Sequence, residues 1–322
     1  MLLSIVVPVF NEVDVLEEFY RRVKRIIAEW DAEVLFVDDG SEDGSREILL
    51  DFAQRDPRVK VIGLSRNFGH ERASTAGLRY ASGDAVVLID ADLQDPPEVI
   101  PQMVEKWKAG YDVVYGVRQE RLGETSFKRV TSHIFYRVLN LLADVPIPEH
   151  VGDFRLMTRR AVDAMNRMGE YRRFVRGMVA WLGFRQVGVP YIREPRYKGR
   201  TKYSFGKLWH LSIEAVVAYS EKPLKVGTRI GLVVAVLGFV AAIRTVVIKL
   251  SHPTAIIPGW TSVFVAILCL GGLNLLVMGI VGAYVGRILD EVRGRPLYLV
   301  EYTRNMEDDE YDYVLPMRRR GL

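Results

Sequence analysis

The chain has 322 residues with a formal net charge of +4 and a pI near 9.0, and it carries a single cysteine, Cys269. One cysteine excludes an internal disulfide framework, and within an apolar run it reads as a small buried hydrophobe. The hydrophobic share of 49% and charged share of 26% average two unlike regions: about 225 residues that mix charge with apolar periodicity, then about 100 that hold two long apolar segments.

The N-terminus goes directly into Leu2-Leu3-Ser4-Ile5-Val6-Val7, which lacks a basic leader and a small-residue cleavage site, so no signal peptide is expected. The β-branched run ends at Pro8 and is followed by the polar pair Asn11-Glu12. A helical pattern then puts Val15, Leu16, Phe19, Val23, Ile26 and Ile27 on one face. Val34-Leu35-Phe36-Val37 repeats the plan: a buried strand, the carboxylates Asp38 and Asp39, a Gly40 turn, and a helix through Ile48, Leu49 and Phe52. Strand and helix alternate again through Val59 to Leu64, so a mostly parallel sheet covered by helices is the expected α/β architecture. Ligands of such sheets gather beyond the carboxyl ends of the strands.

Val86-Val87-Leu88-Ile89 runs into Asp90-Ala91-Asp92-Leu93-Gln94. In an extended chain Asp90 and Asp92 point to the same side and can face one phosphate and metal group. Hard cations such as Mg²⁺ and Mn²⁺ take oxygen ligands and need only one or two protein carboxylates beside substrate phosphates. An Asp-x-Asp after a strand is more often a plain turn with Asx hydrogen bonds, so this stretch gains weight only in company.

That company is present. Val7-Pro8-Val9-Phe10-Asn11-Glu12, Val37-Asp38-Asp39-Gly40-Ser41, Ser65-Arg66-Asn67-Phe68-Gly69 and Asp90-Ala91-Asp92-Leu93-Gln94-Asp95-Pro96-Pro97, in that order, resemble a family 2 glycosyltransferase with the Rossmann-like GT-A fold. Gly152-Asp153-Phe154-Arg155-Leu156-Met157, Arg193-Glu194-Pro195-Arg196-Tyr197 and the hydrophobic C-terminal third resemble the polyprenyl-phosphate glycosyltransferases within it. This is the group of the GtrB-type enzymes and dolichol-phosphate mannose synthase.

The resemblance implies an inverting transfer of one sugar from a nucleotide-sugar, UDP-glucose being the type, to a polyprenyl phosphate such as undecaprenyl phosphate. It places Pro8, Phe10, Asn11, Glu12 and Asp39, with Asp90, Ala91 and Asp92, on the nucleotide-sugar. Asp90, Asp92 and Gln94 would hold Mg²⁺ or Mn²⁺, with Asp92 and Asp153 at the reacting centre. Arg118, Lys128, Ser132, Arg193 and Lys202 would contact lipid or donor phosphate. Lys128 and Ser132 are four apart and reach one anion from a helix. Lys128 stands where the family often has Arg, and Lys is a point charge whereas Arg grips phosphate with two parallel bonds. Asp153 is a base or a positioning group; a phosphate monoester, largely dianionic at neutral pH, needs no base.

The expected organisation is a catalytic domain over 1–204, juxtamembrane amphipathic helices over 205–225, two transmembrane helices near 228–250 and 260–287, and a cytoplasmic tail over 290–322. Each apolar segment has about the length that crosses a bilayer as a helix. Arg244 falls late in the first span, where its side chain can snorkel. Lys222, Lys225 and Arg229 precede the spans and Arg287, Arg293 and Arg295 follow them, so the positive-inside rule puts both termini and the catalytic domain in the cytoplasm of a bacterial inner membrane. The same clustering of basic residues beside apolar spans, without a nucleic-acid motif, points to anionic lipid and away from nucleic acid. A separate flippase would then move the product outward. Gly271, Gly272, Gly279, Gly282 and Gly286 offer a small-residue face for a homo-oligomer, tetramers being known in the family. A processive polysaccharide synthase would need more spans and a Gln-x-x-Arg-Trp motif, which is absent. A non-catalytic scaffold would not need Asp39, Asp90, Asp92 and Asp153 together.

Overall fold

The computed structural model describes residues 1–119, 151–171, 173–194, 222–251 and 259–306. Lys128, Ser132, Lys202 and the stretch 205–221 lie outside the described residues. The chain divides into two compact units, one from Met1–Arg137, Val145–Phe205 and Gly294–Leu322, the other from Val138–Asp144 and Gly206–Arg293.

The first unit alternates β1 (Leu3–Val9), α1 (Leu16–Ile26), β2 (Ala32–Asp38), α2 (Ser45–Arg55), β3 (Val59–Leu64), α3 (His70–Tyr80), β4 (Ala85–Leu88), α4 (Ile100–Lys108) and β5 (Val113–Gln119). It continues with β6 (Val151–Thr158), α5 (Arg159–Arg167), α6 (Val175–Trp181), β7 (Gln186–Ile192) and β8 (Val300–Arg304). The strands form one sheet in the order β7-β5-β6-β4-β1-β2-β3-β8, in which only β6 and β8 run against the rest. Every residue of β1 and β2 is buried, as a parallel sheet covered on both faces requires. Alternate residues feed opposite cores: Ile5, Val7 and Phe36 pack with Phe19 and Phe52, while Val6, Leu35 and Val37 pack with Ala73, Ala76 and Met157.

The chain goes outward from β1 to β2 and β3 and then returns to β4 on the other side of β1, so the topological switch lies between β1 and β4. The β1–β4 ladder stops where Val6 meets Leu88, and beyond it β1 pairs with β2 alone through Val9. Pro8 lies in that one-sided stretch, where its missing N–H leaves no gap on the β4 side. Such a switch point is where ligands of open α/β sheets gather.

The second unit holds two long helices, α7 (Lys222–Ser251, 30 residues) and α8 (Trp260–Arg293, 34 residues). Large apolar side chains stand exposed along both, among them Leu237, Phe239, Leu275 and Met278. One described stretch, Cys269–Arg293, is long and apolar enough to cross a membrane; the apolar stretch of α7, Gly227–Ala241, is shorter. α8 runs through Arg293, six residues past the boundary expected from the apolar pattern.

The part of the expected tail from Gly294 to Met306 adds β8 to the catalytic sheet, antiparallel to β3. Leu297 and Tyr298 are buried there. An open β3 edge would present unpaired backbone groups, and β8 covers it.

Candidate active site

Loops after β1, β2 and β3 enclose a cleft of about 330 Å³, within the range of small-ligand pockets. Phe10, Asp38, Ser41, Arg46 and Arg66 line it. Asn11 adopts a left-handed backbone (φ 54°); its side-chain oxygen accepts from Glu42 N at 2.8 Å and its own N donates to Ser41 Oγ at 3.1 Å. Glu12 N donates to Ser45 Oγ at 2.9 Å, so the polar pair after β1 is tied to the loop after β2. Asp39 points the other way. Its buried carboxylate accepts from Phe68 N at 2.7 Å and Gly69 N at 2.9 Å and clasps the loop before α3, while burial raises its pKa. Asp38, one residue earlier, lines the cleft. Gly40 follows them at φ +72°, and a Cβ there would come within 2.7 Å of Arg66 C and 2.8 Å of Asn67 N. Only glycine lets the two loops meet this closely.

Beyond β4, burial alternates: Ala91, Leu93 and Asp95 are buried, whereas Asp90, Asp92 and Gln94 are partly open. Leu93 is held in the left-handed region (φ 59°), and Asp92 Oδ1 accepts from Gln94 N at 3.1 Å, closing an Asx turn. The Gln94 amide oxygen accepts from Arg193 at 2.6 Å, and its backbone carbonyl accepts from Glu194 N at 3.0 Å. Asp95 receives the Tyr191 hydroxyl, and Arg118 donates to both, at 3.4 Å to Asp95 and 3.1 Å to the Tyr191 oxygen. Arg118 and Arg193, far apart in sequence, are thus brought to the same loop.

The antiparallel register pairs Leu88 with Arg155, so Asp90 beyond β4 meets Asp153 near the start of β6. His70, the first residue of α3, stands between them, its Nε2 at 3.5 Å from Asp90 and 3.6 Å from Asp153. Candidate ligand atoms of His70, Asp90 and Asp153 all lie within 4.8 Å of one another. Arg176 on α6 grips both oxygens of Asp153 at 2.8 Å. The buried Arg155 donates to the Gly152 and Asp153 carbonyls and approaches the Asp153 carboxylate at 3.8 Å. Glu71 accepts from Val175 N at 3.0 Å, which fixes the start of α6.

Burial pushes Asp90 up to about 6, aided by the carboxylates of Asp153, Asp95 and Asp92 and opposed by His70. Burial works against charge on His70, but Asp90 and Asp153 outweigh it and raise the imidazole to about 10. Burial and Asp153 lift Glu71 to about 7. Asp153 is held well below the usual carboxylate range, because the hydrogen bonds and charges of Arg176, His70 and Arg155 overcome its burial. The centre therefore carries a fixed anion on Asp153, fixed cations around it, and two carboxylates of raised proton affinity, Asp90 and Glu71.

His70, Glu71, Arg176 and Tyr191 gather around these residues and are missed by the motif reading, and Asp95 lies inside a quoted motif that gave it no role. His70 directly follows the Ser65–Gly69 motif at a helix start, a signal the sequence does hold. Arg176 lies in a short helix without a motif, and nothing in its spacing marks it.

Residues 4–165 match the glycosyl transferase family 2 profile, which takes in the loops after β1, β2 and β4 and the strand that carries Asp153. The chain is 48% identical over 307 residues to an uncharacterized glycosyltransferase, YkcC, of Bacillus subtilis, covering 95% of each. It is 41% identical to the SfII prophage-derived bactoprenol glucosyl transferase of Shigella flexneri, over 94% of this chain and 98% of that one. It is 40% identical to the prophage bactoprenol glucosyl transferase homolog of Escherichia coli, over 94% and 99%. With the carboxylate loop beyond β4 and this sequence relationship together, this chain belongs to glycosyl transferase family 2.

Proposed function

We propose that this glycosyltransferase is a membrane-bound, inverting enzyme that moves one sugar from a nucleotide-sugar, a UDP-sugar such as UDP-glucose, to the phosphate of a polyprenyl lipid, undecaprenyl phosphate in a bacterium. The observation that carries the reading is the meeting of Asp90 and Asp153 at the switch point, beside the nucleotide-sized cleft and the paired cations Arg118 and Arg193. The relatives named bactoprenol glucosyl transferases, aligned over nearly their whole length, support the acceptor class and glucose as the sugar.

In this reading the nucleoside lies in the cleft of Phe10 and Asp38, and its diphosphate extends toward Asp90 and Asp92. The residues fit a hard divalent cation. Asp90 Oδ1 is buried and has no hydrogen-bond partner among the described residues, and carboxylate oxygens are the ligands Mg²⁺ and Mn²⁺ prefer. Asp90 and Asp92 would hold the ion, which when bound neutralises the charge on the departing nucleoside diphosphate. Gln94 would join them only by releasing Arg193. Arg118 and Arg193 hold acceptor phosphate near Gln94 and Asp95. A phosphate oxygen attacks the anomeric carbon as the bond to the diphosphate breaks, and the leaving group departs with the electron pair, inverting the centre. No proton moves in that step, because the acceptor is a dianion above its second pKa of about 6. Asp153, gripped by Arg176 and low in proton affinity, is a poor base and orients the sugar or acceptor instead.

Membrane attachment is part of the proposal. β1 to β7 precede α7 and α8 and β8 follows them, yet all eight strands share one sheet. A sheet stays on one side of a bilayer, so the intervening chain must cross an even number of times, which favours both helices as spans over α8 alone. The decisive experiment incubates the purified full chain in detergent with undecaprenyl phosphate and a panel of nucleotide-sugars. One donor should yield a sugar lipid and nucleoside diphosphate in equal amounts; nucleotide release without sugar lipid, or neither product with any donor, overturns the reading.

A further inference from the structure

Among the described residues, the chain that follows the two long helices returns to the catalytic unit along the outer edge of β3, beside the cleft. The Tyr302 ring lies over Gly63, where a Cβ would come within 1.8 Å of ring carbon, so only glycine accepts the ring here. The Tyr302 hydroxyl donates to Asp38 Oδ2 at 3.1 Å, while Asp38 Oδ1 accepts from Ser41 N at 2.9 Å. Both oxygens of the cleft carboxylate are thereby held, one by its own turn and one by a strand more than two hundred residues later in the chain. The Arg46 guanidinium stacks on the outer face of the Tyr302 ring at 4.1 Å and reaches Glu301 at 3.5 Å. Glu301 itself lines the cleft and is half exposed there.

Covering the β3 edge requires backbone pairing, not this arrangement of side chains. Leu299 O already takes Ser65 N at 2.9 Å, and Asn305 ties β8 to the Ala53 and Val59 carbonyls at 2.6 and 2.8 Å. The polar tips of Glu301 and Tyr302 are turned toward Asp38 and the opening instead. An anion in the cleft wall suits hydrogen-bond donors such as ribose hydroxyls and base N–H groups and opposes phosphate, so Glu301 belongs to the nucleoside end of a donor.

We propose that β8 is a wall of the donor site, with Tyr302 positioning Asp38 and Glu301 contacting the nucleoside, so that a nucleoside diphosphate binds fully only when the C-terminal strand is docked. This rests on the reading of the cleft as the nucleotide-sugar site. A consequence is that a chain ending before β8 lacks part of that site even though the earlier motifs are all present.

The test uses the full chain in detergent, with UDP and GDP as probes in calorimetric titrations, and donor kinetics with the active sugar nucleotide. Tyr302→Phe keeps the ring over Gly63 and removes only the hydroxyl; Glu301→Gln changes an exposed side chain. Each should weaken binding of the nucleotide the parent prefers, by about tenfold to a hundredfold for a lost hydrogen bond to a charged group. Each should also raise donor KM with little change in kcat, at a melting temperature close to the parent's. Parent-like dissociation constants in both variants overturn the proposal, even if stability falls, because an edge-covering role alone predicts that result. A parent that binds neither UDP nor GDP overturns the donor-site reading on which the proposal stands.

Discussion

Arg176 holds Asp153 with two parallel hydrogen bonds of 2.8 Å, from Nε and Nη2 to the two carboxylate oxygens. That geometry needs a planar fork, which lysine lacks. In Arg176→Lys the buried carboxylate keeps a cation but loses its fixed orientation. We expect kcat to fall roughly tenfold to hundredfold, the range for a displaced positioning group, with a stability loss of about 1–2 kcal/mol because Arg176 is one-third exposed. Steady-state kinetics and thermal melting measure both. A parent-like kcat would remove orientation of Asp153 from the mechanism.

Asp153 itself separates two chemistries by pH. Its pKa is depressed, so it is ionised throughout pH 6 to 9 and adds no titration of its own there. As a positioning group, its replacement in Asp153→Asn costs a similar factor across that range. As an obligatory base, its loss would be least harmful at high pH. Rates at pH 6, 7, 8 and 9 distinguish the slopes, and near-parent rates at every pH would exclude both roles.

Asp92 closes the Asx turn that leads to Gln94. Asp92→Asn keeps a side-chain oxygen for Gln94 N but removes the charge, so folding should be nearly unchanged while transfer falls by at least about a hundredfold, as for lost charge stabilisation at a reacting centre. EDTA should abolish parent activity, and Mg²⁺ or Mn²⁺ should restore it. Full turnover in excess chelator would contradict a divalent ion in the reaction.

Gly40→Ala tests the loop contact beneath the cleft. The new Cβ meets backbone atoms of Arg66 and Asn67 and the φ of +72° disfavours a side chain, so backbone must shift. A left-handed alanine alone costs about 1–2 kcal/mol. A lower melting temperature together with weaker nucleotide binding is expected. Unchanged binding would show that the loops after β2 and β3 need not touch to form the site.

The proposed topology rests on the placement of cations and on the shared sheet. In a Cys269→Ser background, a cysteine at Ser251, the last residue of α7, should react with a membrane-impermeant thiol reagent added to intact cells, and one at Ser41 should not. Labelling at Ser41 alone would reverse the orientation and place the donor cleft outside.

β1 to β4, the helices after β1 and β2, and the edge at which ligands gather were legible in the residues alone. Buried β-branched runs and helical stripes are local signals, and each is complete within one element. The expectation that Asp90 and Asp92 share one side is met in their burial, with Ala91 closed between them, although the loop is a turn with Leu93 left-handed and not an extended strand. Only the tertiary structure decided what stands opposite them. Asp153 meets Asp90 through an antiparallel register, His70 enters from a helix start, and Arg176 arrives from a helix with no motif. Asp38 lines the cleft and Asp39 clasps a loop because neighbouring carboxylates at a strand end point to opposite sides, and only the packed loops say which side is the cleft. The return of β8 was least legible: Leu297 to Tyr302 is a short apolar run among charges, and its partner is an edge made by residues near the other end of the chain. Strand pairing across such separations depends on which edge is left open when everything else has packed, a property of the whole fold and of no segment within it.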